Sequence, residues 1–257
     1  MLTGKNIVII GGTSGLGLSA AQAFQRQGAG VVALGHDKMT SIRAMEILGR
    51  NAHVLTGDAT EEGQAESAIA KCIERFGSFD GLYHVAGGSG RRFGDGPLHE
   101  MTLEGWERTF QLNLTSVMLS NRAAVRQFLE QETGGGAILN MGSALAFSPA
   151  PQFFSTHAYA TSKAAIEGFT KSIAAFYAPQ NIRANVIAPG LTDTPMAQRA
   201  VQNDEIMDFV KKRQPLDGGR AGLPNDLDGL SSLLLSDAAG FITGQVVAVD
   251  GGWKMGN

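Results

Sequence analysis

Cysteine is almost absent from this chain. Cys72 is the only one in 257 residues, so no intrachain disulfide framework can form and no cysteine cluster is available for zinc. Its setting in a charge-rich helical segment reads as a packed structural thiol rather than a reactive one. No uninterrupted apolar run reaches the roughly 18 residues of a membrane helix. The opening Met1-Leu2-Thr3-Gly4-Lys5 has neither a basic leader nor a long apolar stretch. The expectation is a soluble, cytoplasmic protein with no membrane partner. A large excess of one charge is missing too: 21 Lys and Arg against 24 Asp and Glu leave a formal charge of -3. That balance gives no general reason to expect a nucleic-acid partner. The 34 glycines are scattered at turns without a period, which excludes collagen-like and low-complexity readings.

What is present is an ordinary globular composition, 43% hydrophobic and 18% charged. Short apolar runs alternate with longer amphipathic stretches. Strands are predicted at 6–10, 31–34, 52–56, 81–85, 137–141, 183–187 and 245–249. Helices are predicted at 15–28, 38–48, 61–76 (with Thr60 as cap), 103–131, 158–177, 204–212 and 225–235. Strands that alternate with helices of this length imply right-handed crossovers. The fold class is therefore α/β: a Rossmann-like, doubly wound, mostly parallel seven-stranded sheet with helices on both faces. No linker or repeat divides the chain, so 1–257 is read as a single domain.

Directly after the first strand comes Gly11-Gly12-Thr13-Ser14-Gly15-Leu16-Gly17, which opens the first helix. Gly11 permits a tight turn, Gly15 lets the backbone approach a pyrophosphate, and Gly17 lets helix and strand pack closely. The helix N-terminus then offers free N–H groups and a favourable dipole to an anion. A glycine cluster alone is usually just a turn, but strand, loop and helix in this order point to a dinucleotide. No Gly-Lys-Ser/Thr follows, so a P-loop is disfavoured. At the end of the second strand an acid would bind a ribose 2′-hydroxyl and basic residues a 2′-phosphate. This chain has Gly35-His36-Asp37-Lys38 there. Gly35 stands where an acid is expected, His36 and Lys38 could pair with a phosphate, and Asp37 opposes one unless turned away. NAD and NADP both stay open, with the balance leaning to NADP(H). Asp58, just after the third strand, is either an adenine contact or a turn residue.

The second constellation is Tyr159-Ala160-Thr161-Ser162-Lys163 at the start of a helix, which puts Tyr159 and Lys163 on one face. A free tyrosine, with a pKa of about 10, is a poor base at neutral pH. A lysine ammonium one turn away favours the phenolate and brings the group into range. Ser143 lies at the carboxyl end of the fifth strand, where such sheets place ligands, and can donate to a substrate oxygen. An isolated Tyr-x-x-x-Lys is most often a solvated helix face; its place after a dinucleotide loop and beside a strand-end serine reverses that.

At this point the chain resembles the single-domain branch of the short-chain dehydrogenase/reductase family, along essentially its whole length. The resemblance rests on Gly11-x-x-x-Gly15-x-Gly17, Asn113 in Leu112-Asn113-Leu114, Ser143, Tyr159-x-x-x-Lys163, Pro189-Gly190 followed by Thr194, and the closing Gly244-Gln245 and Val249-Asp250-Gly251-Gly252. It implies hydride transfer between a nicotinamide cofactor, NAD(P), and an alcohol or carbonyl on a small molecule. Tyr159 would be the acid/base. Lys163 would tune it and hold the nicotinamide ribose, Ser143 would polarise the substrate oxygen, and Asn113 would anchor a water relay to Lys163. Thr13, Ser14, Leu16, His36, Asp58, Ala59, Ala86, Gly87, Pro189, Gly190, Thr192 and Thr194 would complete the cofactor site with the loop glycines; no metal is implied. The resemblance also suggests a homotetramer, or a homodimer, pairing through helices 103–131 and 158–177 and through the last strand.

Three departures from the family stand out. His84-Val85-Ala86-Gly87 replaces the usual Asn-Asn-Ala-Gly, so His84 is expected to brace the central strand in place of the first Asn. Ile10 replaces a Thr before Gly11, which removes one side-chain hydrogen bond. Ser143 and Tyr159 stand 16 positions apart, a few more than usual. The extra residues fall in 148–155 and are expected to bulge over the site, with Phe153 or Phe154 as an apolar wall. Arg91 and Arg92 lie in the 88–96 loop at the expected mouth of the site; they could recognise a carboxylate or phosphate, although such pairs are more often surface features or intersubunit contacts. The region 191–224, long, polar and marked by Pro195 and Pro215, is the expected substrate lid. A cofactor-binding sensor without turnover is the alternative from another class, and a non-redox isomerase or dehydratase a third; the full proton-transfer set argues against the sensor.

Overall fold

The computed structural model describes residues 1–131 and 134–255. Seven strands form one sheet in which every neighbouring pair is parallel. They are β1 (Asn6–Ile10), β2 (Gly30–Gly35), β3 (Ala52–Thr56), β4 (Gly81–His84), β5 (Gly136–Met141), β6 (Ile182–Pro189) and β7 (Val246–Val249), in the order β3-β2-β1-β4-β5-β6-β7. The chain winds outward from β1 to β3, then returns to place β4 on the other side of β1. The two halves diverge there, and the carboxyl ends of β1 and β4 frame a crevice.

The apolar runs were legible because both faces of the sheet are covered. In β1, Ile7 and Ile9 point into one core with Phe24 and Ala20 of α1 (Gly15–Arg26), while Val8 and Ile10 point into the other. That second core includes Ile69 and Cys72 of α3 (Gln64–Phe76) and Phe128. Cys72 is fully buried, and burial pushes its thiol pKa up to about 12, which keeps it an inert core group. The second helix, α2 (Lys38–Leu48), is capped by Asp37, whose carboxylate accepts from the Thr40 N–H at 2.8 Å.

Several predicted boundaries shift. The helix expected from residue 61 starts at Gln64, behind Gly63 in the left-handed region (φ 85). Thr60 does not cap it but donates to Asp58 through both its N–H and its hydroxyl, at 2.9 and 2.8 Å. The helix expected over 103–131 is really α4 (Leu103–Phe110), a π-helical turn at Gln111–Thr115, and α5 (Ser116–Glu130). Such turns insert an extra residue into the ladder and re-aim a side chain; here the side chain is Asn113. The long helix α6 (His157–Tyr177) is unbroken. Beyond β6 come the short α7 (Gln198–Val201), α8 (Asp204–Arg213) and α9 (Asp228–Leu235), the last preceded by a 3-10 turn at Pro224–Leu227.

A buried amide network locks β5 to the two helices packed on it. Asn140 and Asn121 exchange reciprocal hydrogen bonds at 2.9 and 2.8 Å, and Asn140 also donates to Thr170 of α6 at 3.0 Å. Nearby, Phe128 stacks on Phe79 with ring centroids 4.8 Å apart and planes within 4°. Phe128→Ala empties this site in a close-packed core, and an unfolding free-energy loss of about 3–5 kcal/mol is expected from urea denaturation. A loss below about 1 kcal/mol would mean that this contact is not part of the rigid core.

Candidate active site

A cavity of about 940 Å³ opens at the carboxyl edge of the sheet, over the point where β1 and β4 part. Of the catalytic and cofactor residues expected from the family resemblance, all but two reach its wall. Gly17 and Asn113 lie behind the wall and shape it.

The glycine loop is built for close approach. A Cβ on Gly17 would lie 2.1 Å from the Gly11 carbonyl oxygen, and one on Gly11 would lie 2.6 Å from the Ala86 nitrogen. Gly15, in the left-handed region (φ 47), exposes backbone to the cavity at the start of α1. No side chain caps that helix and no acid sits in its first turn, so its N-terminus is left to an anion. Backbone hydrogen bonds hold the loop on both sides of Ile10. Gly11 and Gly12 N–H groups both donate to Leu34 O at 2.8 and 3.0 Å, and the Ile10 carbonyl accepts from Val85 and Ala86 at 2.8 and 2.9 Å. These features fit a dinucleotide on observations of the chain itself.

One end of the cavity is bordered by Gly35, His36, Asp37, Asp58 and Ala59. A Cβ at Gly35 would fall 1.9 Å from Thr13 Oγ1, so Thr13 occupies the space an acidic side chain there would need. The His36 side chain is exposed, while Asp37 spends one carboxylate oxygen on the α2 cap. Asp58 Oδ1 carries the turn to Thr60.

At the other end Ser143, Tyr159 and Lys163 converge. The Ser143 hydroxyl, just past the end of β5, lies beside the Tyr159 phenol and accepts from Leu145 N–H at 3.2 Å. Burial holds the Tyr159 phenol above its ordinary range, with Ser143 pulling the other way. Lys163 Nζ stands 5.7 Å from the Tyr159 ring centroid and donates to the Met141 carbonyl at 2.9 Å. Burial lowers its pKa to about 8, so burial moves the two groups apart in acidity: it keeps the phenol protonated and makes the lysine give up its charge more readily.

Asn113 is fixed on all sides. Its amide donates to Gly88 O and Thr109 O, both at 2.9 Å, and its oxygen accepts from Gly88 N–H at 3.0 Å. It thereby ties the π-helical turn to the loop that follows β4.

His84 is a brace. Its Nε2 lies 3.1 Å from the Ala86 carbonyl, which can only accept, so the proton sits on Nε2; Nδ1 then accepts from the Ser120 hydroxyl at 2.7 Å. Ser116 Oγ, 3.4 Å from Nε2, gives its own proton to Leu112 O. Burial, and then the charge of Lys163, push the His84 pKa down to about 3.

Sequence reasoning missed Asp95. Its buried carboxylate accepts from the N–H groups of Ala158 and Tyr159, each at 3.0 Å, and so caps the helix that carries Tyr159 from 63 and 64 positions away. It also missed Trp253, which borders the cavity and donates to Ser148 O at 3.1 Å. Neither contact has a local sequence signal. The 148–155 segment does cover the site: Phe154 lines the cavity and packs edge-on to Trp253 at 5.9 Å, whereas Phe153 turns to Phe209 of α8 at 5.4 Å.

A doubly wound fold with a glycine-cradled crevice and a hydroxyl–phenol–ammonium set at its strand ends defines a nicotinamide-dependent oxidoreductase. The sequence model of a family described as enoyl-(acyl carrier protein) reductase matches residues 10–254. The chain is 33% identical to 3beta-hydroxysteroid dehydrogenase 2 of Eggerthella lenta, over 99% of this chain and 96% of that one. It is also 33% identical to cis-4-hydroxycyclohexanecarboxylate dehydrogenase of Sinomonas cyclohexanicum, over 96% and 95%. A crystal structure of 3-ketoacyl-(acyl-carrier-protein) reductase from Brucella melitensis complexed with NADH superposes with a TM-score of 0.86 at 27% identity, covering 99% of this chain and all of that one. The chain belongs to the short-chain dehydrogenase/reductase family, and it is an enzyme acting between alcohol and carbonyl groups with a nicotinamide cofactor. Among the described residues no helix is long and apolar enough to cross a membrane, and no His, Cys, Asp and Glu cluster could hold a metal ion.

His84 makes stability depend on pH in a readable way. An unfolded histidine takes up a proton below its ordinary pKa of 6.5, whereas the folded one stays neutral until about 3. Stability is therefore unaffected by this group above 6.5 and falls by about 1.4 kcal/mol per pH unit below it. Urea unfolding of the wild type and of His84→Asn between pH 7 and 5 is expected to show this slope only in the wild type. Parallel slopes would show that His84 is not buried and neutral.

Proposed function

We propose that the protein interconverts a secondary alcohol and a ketone on a small molecule with Tyr159 as the acid/base, Ser143 as the group that orients the reacting oxygen, and Lys163 and Asn113 as its support. The observation that carries the reading is that Ser143, Tyr159 and Lys163 share the cavity wall, with Lys163 Nζ 5.7 Å from the Tyr159 ring centroid and one helical turn away. When bound, the nicotinamide supplies or takes the hydride; the chain supplies position and the proton. The loop from Gly11 to Gly17 and the free end of α1 would hold the pyrophosphate, with Thr13, Ser14 and Leu16 on its wall. Asp58, Ala59, Ala86 and Gly87 would border the adenine and central parts. Pro189, Gly190, Thr192 and Thr194 would hold the nicotinamide end.

In carbonyl reduction the Tyr159 hydroxyl gives its proton to the new alkoxide, and the burial that keeps the phenol protonated suits that role. In alcohol oxidation it accepts one, which requires Lys163 to be charged. Among the described residues Lys163 has one protein acceptor, Met141 O, which leaves two of its three N–H donors for the ribose hydroxyls and a water held near Asn113. Because Lys163 loses its charge near pH 8, alcohol oxidation is expected to fall off as pH rises through that value. A kcat/KM profile checks this, and a profile still level at pH 10 would remove Lys163 from the proton path.

The cofactor reading leans to NADP(H). Support comes from Gly35, where Thr13 fills the space an acidic side chain would need, and from the exposed His36 and Lys38. We read 1–257 as one catalytic domain with 191–224 as its lid, bringing α7 and α8 over the insert at 148–155. The lone, inert Cys72 fits a cytoplasmic setting. A homotetramer fits the large apolar side chains left exposed on α4, α5 and α6: Leu103, Leu129 and Phe176.

Titration of the protein with NADH and NADPH, followed by nicotinamide fluorescence, is expected to show binding, tighter for NADPH. On a panel of alcohols and ketones, Tyr159→Phe is expected to keep that binding and to lose turnover by about 100-fold or more. Binding of neither cofactor would overturn the reading, and binding without turnover on any substrate would favour a sensor.

A further inference from the structure

Four arginines border the cavity away from the glycine loop: Arg91 and Arg92 after β4, Arg108 on α4 and Arg199 on α7. The adjacent pair divides. Arg92 lies over the Phe93 ring at 4.6 Å, with Arg108 on the same ring at 5.5 Å. Arg91 instead meets Arg199. Their Nη2 atoms donate to one oxygen, the Phe153 carbonyl, at 3.0 and 3.4 Å. Three segments distant in sequence therefore meet at the mouth of the site: the β4 loop, the insert and the 191–224 region.

Two guanidiniums carry ten N–H donors between them, and a single neutral carbonyl uses only a small share. They also repel: burial first, then the charge of Arg199, pulls the Arg91 pKa down, against Asp95. Asp95 offsets only part of that repulsion: its oxygens accept from the Ala158 and Tyr159 N–H groups, and it forms no ion pair with Arg91 among the described residues. Among the described residues no salt bridge involves any of the four arginines. The carboxylates that do border the cavity, Asp37 and Asp58, follow β2 and β3, across the switch point from the arginines.

The geometry points to a substrate with an anionic tail, a small alcohol or ketone whose carboxylate or similar oxyanion lies between Arg91 and Arg199 while its reacting oxygen lies at Ser143 and Tyr159. This rests on the alcohol–carbonyl reading of the site given above. Paired planar forks suit an oxyanion, and the anion would relieve the repulsion while tying α7 to the β4 loop. The two relatives named do not decide the matter, since a steroid dehydrogenase and a hydroxy-acid dehydrogenase stand at the same identity.

Cyclohexanecarboxylate and its neutral amide are matched in shape and lack the alcohol or ketone, so calorimetric titration of each, with and without cofactor, reads the anion site apart from turnover. The acid is expected to bind about tenfold more tightly than the amide, and this preference to shrink severalfold between about 50 mM and 0.5 M salt. Arg91→Gln and Arg199→Gln should each weaken the acid about fivefold or more and leave the amide unchanged, while Arg91→Lys and Arg199→Lys keep part of the preference. Thermal unfolding verifies that the variants fold, and the salt series needs only the wild type. Equal binding of acid and amide overturns the proposal, as does a preference that survives in R91Q/R199Q. Loss of NADH or NADPH affinity in the single variants would assign these arginines to the cofactor and overturn it as well. Failure to turn over any alcohol or ketone would instead count against the reaction, with the acid–amide comparison intact.

Discussion

Beneath the floor of the cavity lies a layer of polar side chains with no access to water, and the rest of the site depends on each finding its partner. A buried donor or acceptor left unmatched costs about 1–3 kcal/mol, so the layer admits one arrangement of β4, β5, α5 and α6. His84 links β4 to Ser120 of α5; Asn140 links β5 to Asn121 of α5 and Thr170 of α6. Lys163 completes it by donating to the last carbonyl of β5, at Met141. The strand that ends near Ser143 and the helix that carries Tyr159 are thus held at a fixed spacing. A positioned acid/base needs that rigidity, because misplacement by an ångström can cost orders of magnitude in rate.

Above this layer the wall is assembled from segments that have little structure of their own. The insert at 148–155 is pinned by Trp253 from the far end of the chain, by Phe209 of α8, and by Arg91 and Arg199 at the Phe153 carbonyl. Ala144, Ala150, Ile206, Val210 and Trp253 form a small core of their own there, separate from the two that flank the sheet. The roof is thus held by its own core and the floor by hydrogen bonds.

Much of this was legible in the residues. Buried parallel strands read as plain apolar runs, and six of the seven were placed within one residue at each end; β6 extended two residues further, to Pro189. The glycine loop and the Tyr159–Lys163 pair were legible because each depends on local spacing, a turn in one case and a single helical turn in the other. The long helix at 103–131 misled because a π-helical turn keeps apolar periodicity almost intact while adding one residue to the ladder. Thr60 looked like a cap because its residue type suits one, but Asp58 offered it a closer partner.

The sequence by itself determined the fold, the glycine loop at the start of α1 and the helical face on which the phenol and ammonium stand, since all of these follow from periodicity and short-range backbone geometry. Only the tertiary structure decided that Asp95 caps the helix of Tyr159, that His84 is neutral and bracing, that Phe154 rather than Phe153 faces the cavity, and that Arg91 pairs with Arg199 instead of its neighbour. These contacts join residues tens of positions apart, and no local pattern encodes them. They are fixed by which backbone and side-chain groups become buried together, and that is settled only when the sheet, the insert and the C-terminal segment have packed.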